Sequence, residues 1–304
     1  MLARHARRLL LAELILLALL AMALRHAGLG TAIAIAAALC CSAAVRSGIM
    51  FAGFALSSGL HPDRGPALSI GSRLRLLARE FASTTLAFSV LLPFPQLAGG
   101  AEPASPRRGS GPPVLLLHGY ICNRGIWRSM RQFLQSRGIA VWTMDLEPVY
   151  AGIDHYAAAI EARIETLLDA AGAPQLVVVA HSMGGLAMRA YLRRYGAARV
   201  ARLVTLGTPH HGTRLALFGL GQNAREMLPG SAWLEELARS ESAGLKAPVT
   251  SIWSTHDNIV APQESARLER STDVPMSALG HVTLAFDRGV QERVLAEILQ
   301  ARPN

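Results

Sequence analysis

A serine, an aspartate and a histidine that together could perform acyl transfer follow one another as Ser182, Asp257 and His281. Ser182 lies in Ala180-His181-Ser182-Met183-Gly184-Gly185, and the small residues two positions before and after it permit a sharp turn from strand to helix. We expect His281 to take the serine proton and Asp257 to stabilise the resulting imidazolium. Taken by itself, the serine turn is also compatible with a helix cap.

Acyl transfer also requires backbone N–H groups directed at the oxyanion of the tetrahedral intermediate. His118-Gly119-Tyr120 follows an apolar, strand-like run, and the glycine permits a turn there. We therefore predict that the N–H groups of Tyr120 and Met183 form an oxyanion hole. His118 is predicted to brace this loop. Asp273 and Asp287 are the alternatives to Asp257 as the acid.

These residues can meet at one site only if the strands that precede them are parallel and end at the same edge of a sheet. Residues 111–304 alternate strand-like and helix-like segments, which is typical of an α/β fold with a mostly parallel sheet and helices on both faces. The predicted strands are Val114–Leu117, Ala140–Met144, Gln175–Ala180, Val200–Leu206 and Val249–Ser254. The predicted helices are Ile126–Arg137, Ile153–Ala171, Met183–Tyr195 and Arg288–Ala301.

Three motifs together resemble the α/β-hydrolase superfamily, and within it the bacterial triacylglycerol lipases and esterases. They are residues 115–120 (LLLHGY), the serine turn at 180–185 (AHSMGG) and residues 207–213 (GTPHHGT). The resemblance covers about residues 112–300 and implies an eight-stranded-type core, a serine hydrolase mechanism and carboxylic ester substrates. It assigns the catalytic and oxyanion roles to the five residues given above. Ala180 replaces the usual first glycine of the serine turn.

The N-terminal third differs in composition from the rest of the chain. Of 304 residues, 51% are hydrophobic and 17% charged, whereas globular proteins have about 25% charged residues. The net charge is +9, and residues 1–110 contribute +7 of it. The basic residues thus accompany the most apolar part, which indicates a membrane rather than a nucleic acid as partner.

Apolar runs at Leu9–Leu24 and Ala27–Val45 approach the roughly 20 residues that cross a bilayer. We predict a membrane anchor over residues 1–66, built as a two-helix hairpin, in a bacterial inner membrane. By the positive-inside rule both ends are cytoplasmic, although the side that holds the catalytic domain stays open. In the alternative, the first run is a signal peptide with Ala21-Met22-Ala23 as its cleavage site.

We further predict an interfacial or packing helix over 67–98, a linker over 99–113 and an α/β-hydrolase domain over 114–304. Residues 212–246 form an apolar insertion, and in lipase-like proteins such an insertion caps the active site and faces acyl chains. Ordinary core packing is the alternative for this segment.

The expected function is hydrolysis of carboxylic esters, lipid-like ones in particular, through an acyl-enzyme at Ser182. An acyltransferase or thioesterase with the same triad is one alternative, since an acyl-enzyme also reacts with acceptors other than water. A non-catalytic membrane scaffold is the alternative of a different class. No cofactor or metal is expected, because the three cysteines lack metal-ligand spacing and no acidic pair resembles the calcium site of some lipases. The natural substrate and the oligomeric state stay open.

Overall fold

A computed structural model describes residues 1–60, 67–98, 111–242 and 244–301. Its helices are α1 (Leu2–His26), α2 (Thr31–Gly59), α3 (Ile70–Leu86), α4 (Arg128–Gln135), α5 (His155–Ala171), α6 (Met183–Tyr195), α7 (Gln222–Glu226), α8 (Ala232–Ser240) and α9 (Arg288–Gln300). Its strands are β1 (Val114–Leu117), β2 (Val141–Met144), β3 (Leu176–His181), β4 (Val200–Leu206), β5 (Val249–Ser254) and β6 (Thr272–Met276). Most of the predicted linker lies outside the described residues.

The strands form one parallel sheet in the order β2-β1-β3-β4-β5-β6. The register sets Leu117 at the end of β1 beside Met144 of β2 and Ala180 of β3, so the loops that follow these strands emerge at one edge. This confirms the predicted α/β architecture. The described residues contain six strands rather than an eight-stranded core, because the described segments before β1 are rich in Ala and Leu and are mostly helical.

Both faces of the sheet are covered. Leu115 and Leu117 join a core cluster with side chains of α5, α6 and α8, whereas Val114 and Leu116 join a second cluster with side chains of α4 and α9. Alternate residues of a strand point to opposite faces, and burial of both faces explains why β1 and β3 are continuous apolar runs.

The five predicted strands all form, with ends within one residue of those expected. β6 was not predicted, because its sequence is polar and contains Pro275. It lies at the edge of the sheet and is partly exposed, where a proline without an N–H is tolerated.

α1 and α2, of 25 and 29 residues, are long and apolar enough to cross a membrane, although a signal sequence has the same properties. They pack together, and Ser42 and Arg46 of α2 donate to Glu13 of α1 at 2.8 and 2.6 Å. The beginning of α1 and the C-terminal part of α2 contact the α/β domain. Leu2 N donates to Glu147 Oε1 at 3.1 Å, and Gly53 lies against Asn258.

Candidate active site

Ser182 is the single residue between the end of β3 and the start of α6. Its backbone has φ 56° and ψ −130°, a conformation that costs a residue other than glycine on the order of 1–3 kcal/mol. The turn is held on both sides, since Ser182 N donates to Leu206 O and Thr208 Oγ1 donates to Ser182 O, each at 2.9 Å. Such strained turns are found at functional sites, because the surrounding structure has to enforce them.

The loop that follows β1 lies directly against the serine turn. A Cβ on Gly119 would lie 2.7 Å from the Cβ of Ser182, and a Cβ on Gly184 would lie 2.5 Å from His118 O. Only glycine at both positions permits this approach. Because Gly119 makes the contact with Ser182, Tyr120 is adjacent in sequence to that contact. Met183 is the first residue of α6, so its N–H has no partner within the helix and lies at the positive end of the helix dipole.

Asp257 and His281 form a buried pair. Asp257 Oδ1 accepts hydrogen bonds from the N–H groups of Ile259 and Val260 at 2.7 and 2.8 Å, which fixes the carboxylate. Its Oδ2 lies 2.8 Å from His281 Nδ1, which fits an Nδ1–H donor and leaves Nε2 free to accept a proton. Burial alone lowers the pKa of His281, but the charge and hydrogen bond of Asp257 and the charge of Glu80 outweigh it and raise this pKa.

Residues 206–207, at the end of β4, connect this pair with the serine turn. Leu206 O accepts from Ser182, and a Cβ on Gly207 would lie 3.2 Å from Asp257 Oδ2 and 3.3 Å from His281 Nδ1. No hydrogen bond joins Ser182 Oγ to His281 among the described residues. The fold thus brings the three predicted residues to the same sheet edge.

Three further residues hold His281 and were not predicted. Asn258 Oδ1 accepts from His281 N at 2.9 Å, and the ring of His181 donates through Nε2 to His281 O at 3.1 Å. Burial lowers the pKa of His181 to about 3, so its ring is neutral. Glu80 of α3 binds the residues after His281. The only signal for Glu80 in the sequence was a single acidic residue within a basic, amphipathic segment.

His118 has the contacts of a bracing residue. Leu146 N donates to His118 Nε2 at 2.9 Å, so the proton is on Nδ1, which donates to Gly119 O at 2.9 Å. Burial lowers the pKa of His118, which favours this neutral form. The ring therefore ties the loop after β1 to the chain after β2 and has no nitrogen free for proton transfer.

The other candidates contact different partners. Asp273 accepts from Trp253 Nε1 at 2.7 Å, and Asp287 caps α9 and pairs with Arg79. His210 is buried, and Arg189 donates to its carbonyl at 2.9 Å.

The predicted cap segment has two parts with different environments. Leu234 and Leu237 of α8 are buried in the main core, so this part is ordinary core packing. Leu217, Phe218 and Leu220 are instead 70%, 76% and 66% exposed. Leu220 exchanges two hydrogen bonds of 2.7 Å with the Tyr120 hydroxyl through its N–H and carbonyl. We call these three exposed residues the tip of the segment. Hydrogen bonds therefore hold the tip against the loop that follows β1, the candidate oxyanion loop.

A family model described as the alpha/beta hydrolase fold matches residues 112–227, the region of β1, the serine turn and β4. The chain therefore has the α/β-hydrolase fold and resembles lipases and esterases. A non-heme haloperoxidase of Rhodococcus erythropolis is 35% identical over 124 residues, which are 38% of this chain and 44% of that protein. A triacylglycerol lipase of Pseudarthrobacter phenanthrenivorans is 31% identical over 114 residues, 35% of each chain. The chain thus spans less than half the length of these curated relatives.

Solved structures share the α/β-hydrolase fold with this chain. The mature Bacillus licheniformis lipase BlEst2 has a TM-score of 0.58 and 16% identity over 68% of this chain and 97% of that one. Aspergillus fumigatus lipase B has a TM-score of 0.61 and 14% identity over 86% of this chain and 82% of that one. At these identities the likeness concerns the fold alone.

Proposed function

We propose that this α/β hydrolase is a serine esterase that acts on carboxylic esters, lipid-like ones in particular, at a membrane surface. The observation that carries the proposal is the strained Ser182 turn beside the buried Asp257–His281 pair. A strained serine at a strand–helix turn, a histidine free at Nε2 and a buried acid are the three components of acyl transfer.

In this mechanism Ser182 Oγ attacks the ester carbonyl carbon while His281 Nε2 takes the serine proton. Asp257 stabilises the imidazolium, and the N–H groups of Tyr120 and Met183 stabilise the oxyanion. Collapse of the tetrahedral intermediate breaks the ester bond, and His281 gives its proton to the leaving alkoxide oxygen. Water then attacks the acyl-enzyme with His281 again as the base, which releases the carboxylic acid and restores Ser182.

Two apolar features support a lipid-like substrate. Leu217, Phe218 and Leu220 present an exposed apolar tip next to Tyr120. An apolar cavity of about 780 Å³, within the size range of ligand pockets, lies between α1 and the loop after β2. Tyr150 lines this cavity and contacts the Tyr120 ring edge-on. The Tyr150 side chain therefore lies between the cavity and the oxyanion loop.

The membrane anchor is part of the proposal. Most apolar side chains of α1, such as Leu9 and Leu16, are exposed at 72% and 66%, which a lipid environment accounts for better than water. Leu2 is buried instead, and its N–H donates to Glu147 Oε1 of the α/β domain at 3.1 Å. Because the first turns of α1 pack on the α/β domain, we propose that α1 is retained and not cleaved as a signal peptide.

Labelling with a fluorophosphonate tests the enzyme function. Membranes that contain the wild-type chain are expected to be labelled and to hydrolyse p-nitrophenyl esters, and Ser182→Ala is expected to lose both. Ser129→Ala is the matched control, since this serine lies on α4, outside the candidate site. A wild-type chain that is neither labelled nor active would leave only the scaffold alternative.

A further inference from the structure

Glu80 is fully buried although it lies on α3, which precedes the domain that carries the other candidate site residues. α3 packs against the short helical turn Thr283–Ala285, which begins two residues after His281. A buried carboxylate is retained only where hydrogen bonds and charges compensate its lost hydration. The partners of Glu80 therefore indicate what it does.

These partners flank His281 in sequence. Glu80 Oε1 accepts from Val282 N at 3.0 Å, and Oε2 accepts from Thr283 N at 2.9 Å and from Thr283 Oγ1 at 2.7 Å. On the other side of His281, Gly280 lies so close that any Cβ would overlap the Glu80 carboxyl group. One carboxylate thus contacts the residue before His281 and the two residues after it.

The electrostatic interactions of Glu80 also involve His281. Arg79 on the same helix pairs with Asp287 instead of Glu80. Burial raises the pKa of Glu80 above its ordinary value, and its three hydrogen bonds and the charge of His281 reverse this rise only in part. The charge of Glu80 in turn contributes to the raised pKa of His281, after the larger contribution of Asp257. Glu80 and Asp257 therefore both favour the imidazolium that forms during acyl transfer.

We propose that Glu80 is a positioning residue for His281, supplied by a helix that precedes the first strand of the sheet. It fixes the loop of residues 280–283 and places a second negative charge near the imidazole. This inference rests on the proposed serine esterase function. It gives α3 a role in catalysis: the segment that follows the membrane anchor completes the support of the general base.

The test compares full-length Glu80→Gln with the control Arg75→Gln, which removes an exposed charge from the same helix. Glutamine keeps the shape but loses the charge and one acceptor. We expect kcat to fall about 10- to 100-fold with KM changed less than about twofold, since misplacing a reacting group by about 1 Å has effects of this size. The acid limb of kcat/KM is expected to move to lower pH, because the imidazolium loses a stabilising charge. Arg75→Gln is expected to match wild type in kcat, in KM and in the acid limb of kcat/KM.

A second variant covers the case in which Glu80→Gln does not fold. Thr283→Val removes only the hydroxyl donor, and we expect a several-fold fall in kcat with KM unchanged. Hydrogen exchange at the Val282 and Thr283 amides should be faster in Glu80→Gln, because their acceptor is weakened.

The failures of the two proposals are distinguishable. A wild-type chain labelled at Ser182, together with a folded Glu80→Gln that keeps wild-type kcat and acid limb, overturns the role of Glu80 alone. The same conclusion follows if Thr283→Val, tested in its place, keeps wild-type kcat. A wild-type chain that is not labelled overturns the esterase function and the role of Glu80 with it.

Discussion

Replacing Gly184 by alanine should separate the activity of this protein from its stability. Gly184 is the second residue of α6, and a Cβ there would lie 2.5 Å from His118 O and 2.8 Å from Leu117 O. Both atoms belong to the backbone at the end of β1, so no side-chain rotation relieves the contact. A carbon–oxygen contact needs about 3.3 Å, so the loop and the helix have to separate by about 0.8 Å.

The cost in stability is modest. Overpacking of this kind costs about 1–3 kcal/mol, and the better helix propensity of alanine returns up to about 1 kcal/mol. We therefore expect the free energy of unfolding to fall by about 0–3 kcal/mol. The same movement takes the Tyr120 N–H away from Ser182, and a displacement close to 1 Å costs up to about 100-fold in rate.

The assay measures kcat/KM on a soluble p-nitrophenyl ester together with urea unfolding. Gly71→Ala is the matched control, because Gly71 is the second residue of α3 and nothing lies within 4 Å of its Cβ position. It should keep wild-type activity and gain up to about 1 kcal/mol. A folded Gly184→Ala protein with wild-type kcat/KM would refute the argument that this contact positions the oxyanion loop.

Three further predictions concern the proposed chemistry. Asp257→Asn should lower kcat by about 10⁴-fold while the protein stays folded, because the imidazole loses its orientation and tautomer; Asp273→Asn is the control, and equal losses in steady-state assays would contradict the assignment. The wild-type kcat/KM should rise with pH through a midpoint above about 6.5, since the raised pKa of His281 keeps the base protonated up to higher pH; a titrated midpoint below that value would oppose it. Leu217→Ser combined with Phe218→Ser should reduce hydrolysis of long-chain esters in micelles but not of soluble acetate esters, and equal effects on both in a paired assay would remove the tip from substrate contact.

Local sequence was sufficient to predict five of the six described strands and the serine turn. β1 is a short apolar run and β3 is one up to Ala180, and their positions are predictable because polar residues or proline stand next to each run. The turn at Ser182 follows from small neighbours, a requirement of the local backbone. β6 was missed for the same reason, because an edge strand needs neither a continuous apolar run nor a free N–H at Pro275.

The candidate cap shows where pattern alone was insufficient. The sequence shows apolar residues in both halves of the segment, yet Leu234 packs in the core and Phe218 is exposed. Hydrophobic periodicity predicts that a face is buried or covered, but the covering partner depends on neighbours far away in sequence.

By itself, the sequence determined the α/β fold, the order of the candidate triad and the apolar N-terminus, since these depend on residue type and local spacing. Only the tertiary structure decided how His281 is held. Asp257 lies 24 residues before it and is held by its own loop, whereas Glu80 reaches Thr283 across 203 residues. A buried carboxylate acquires its partners from the packing of elements distant in sequence, and no local pattern records that packing.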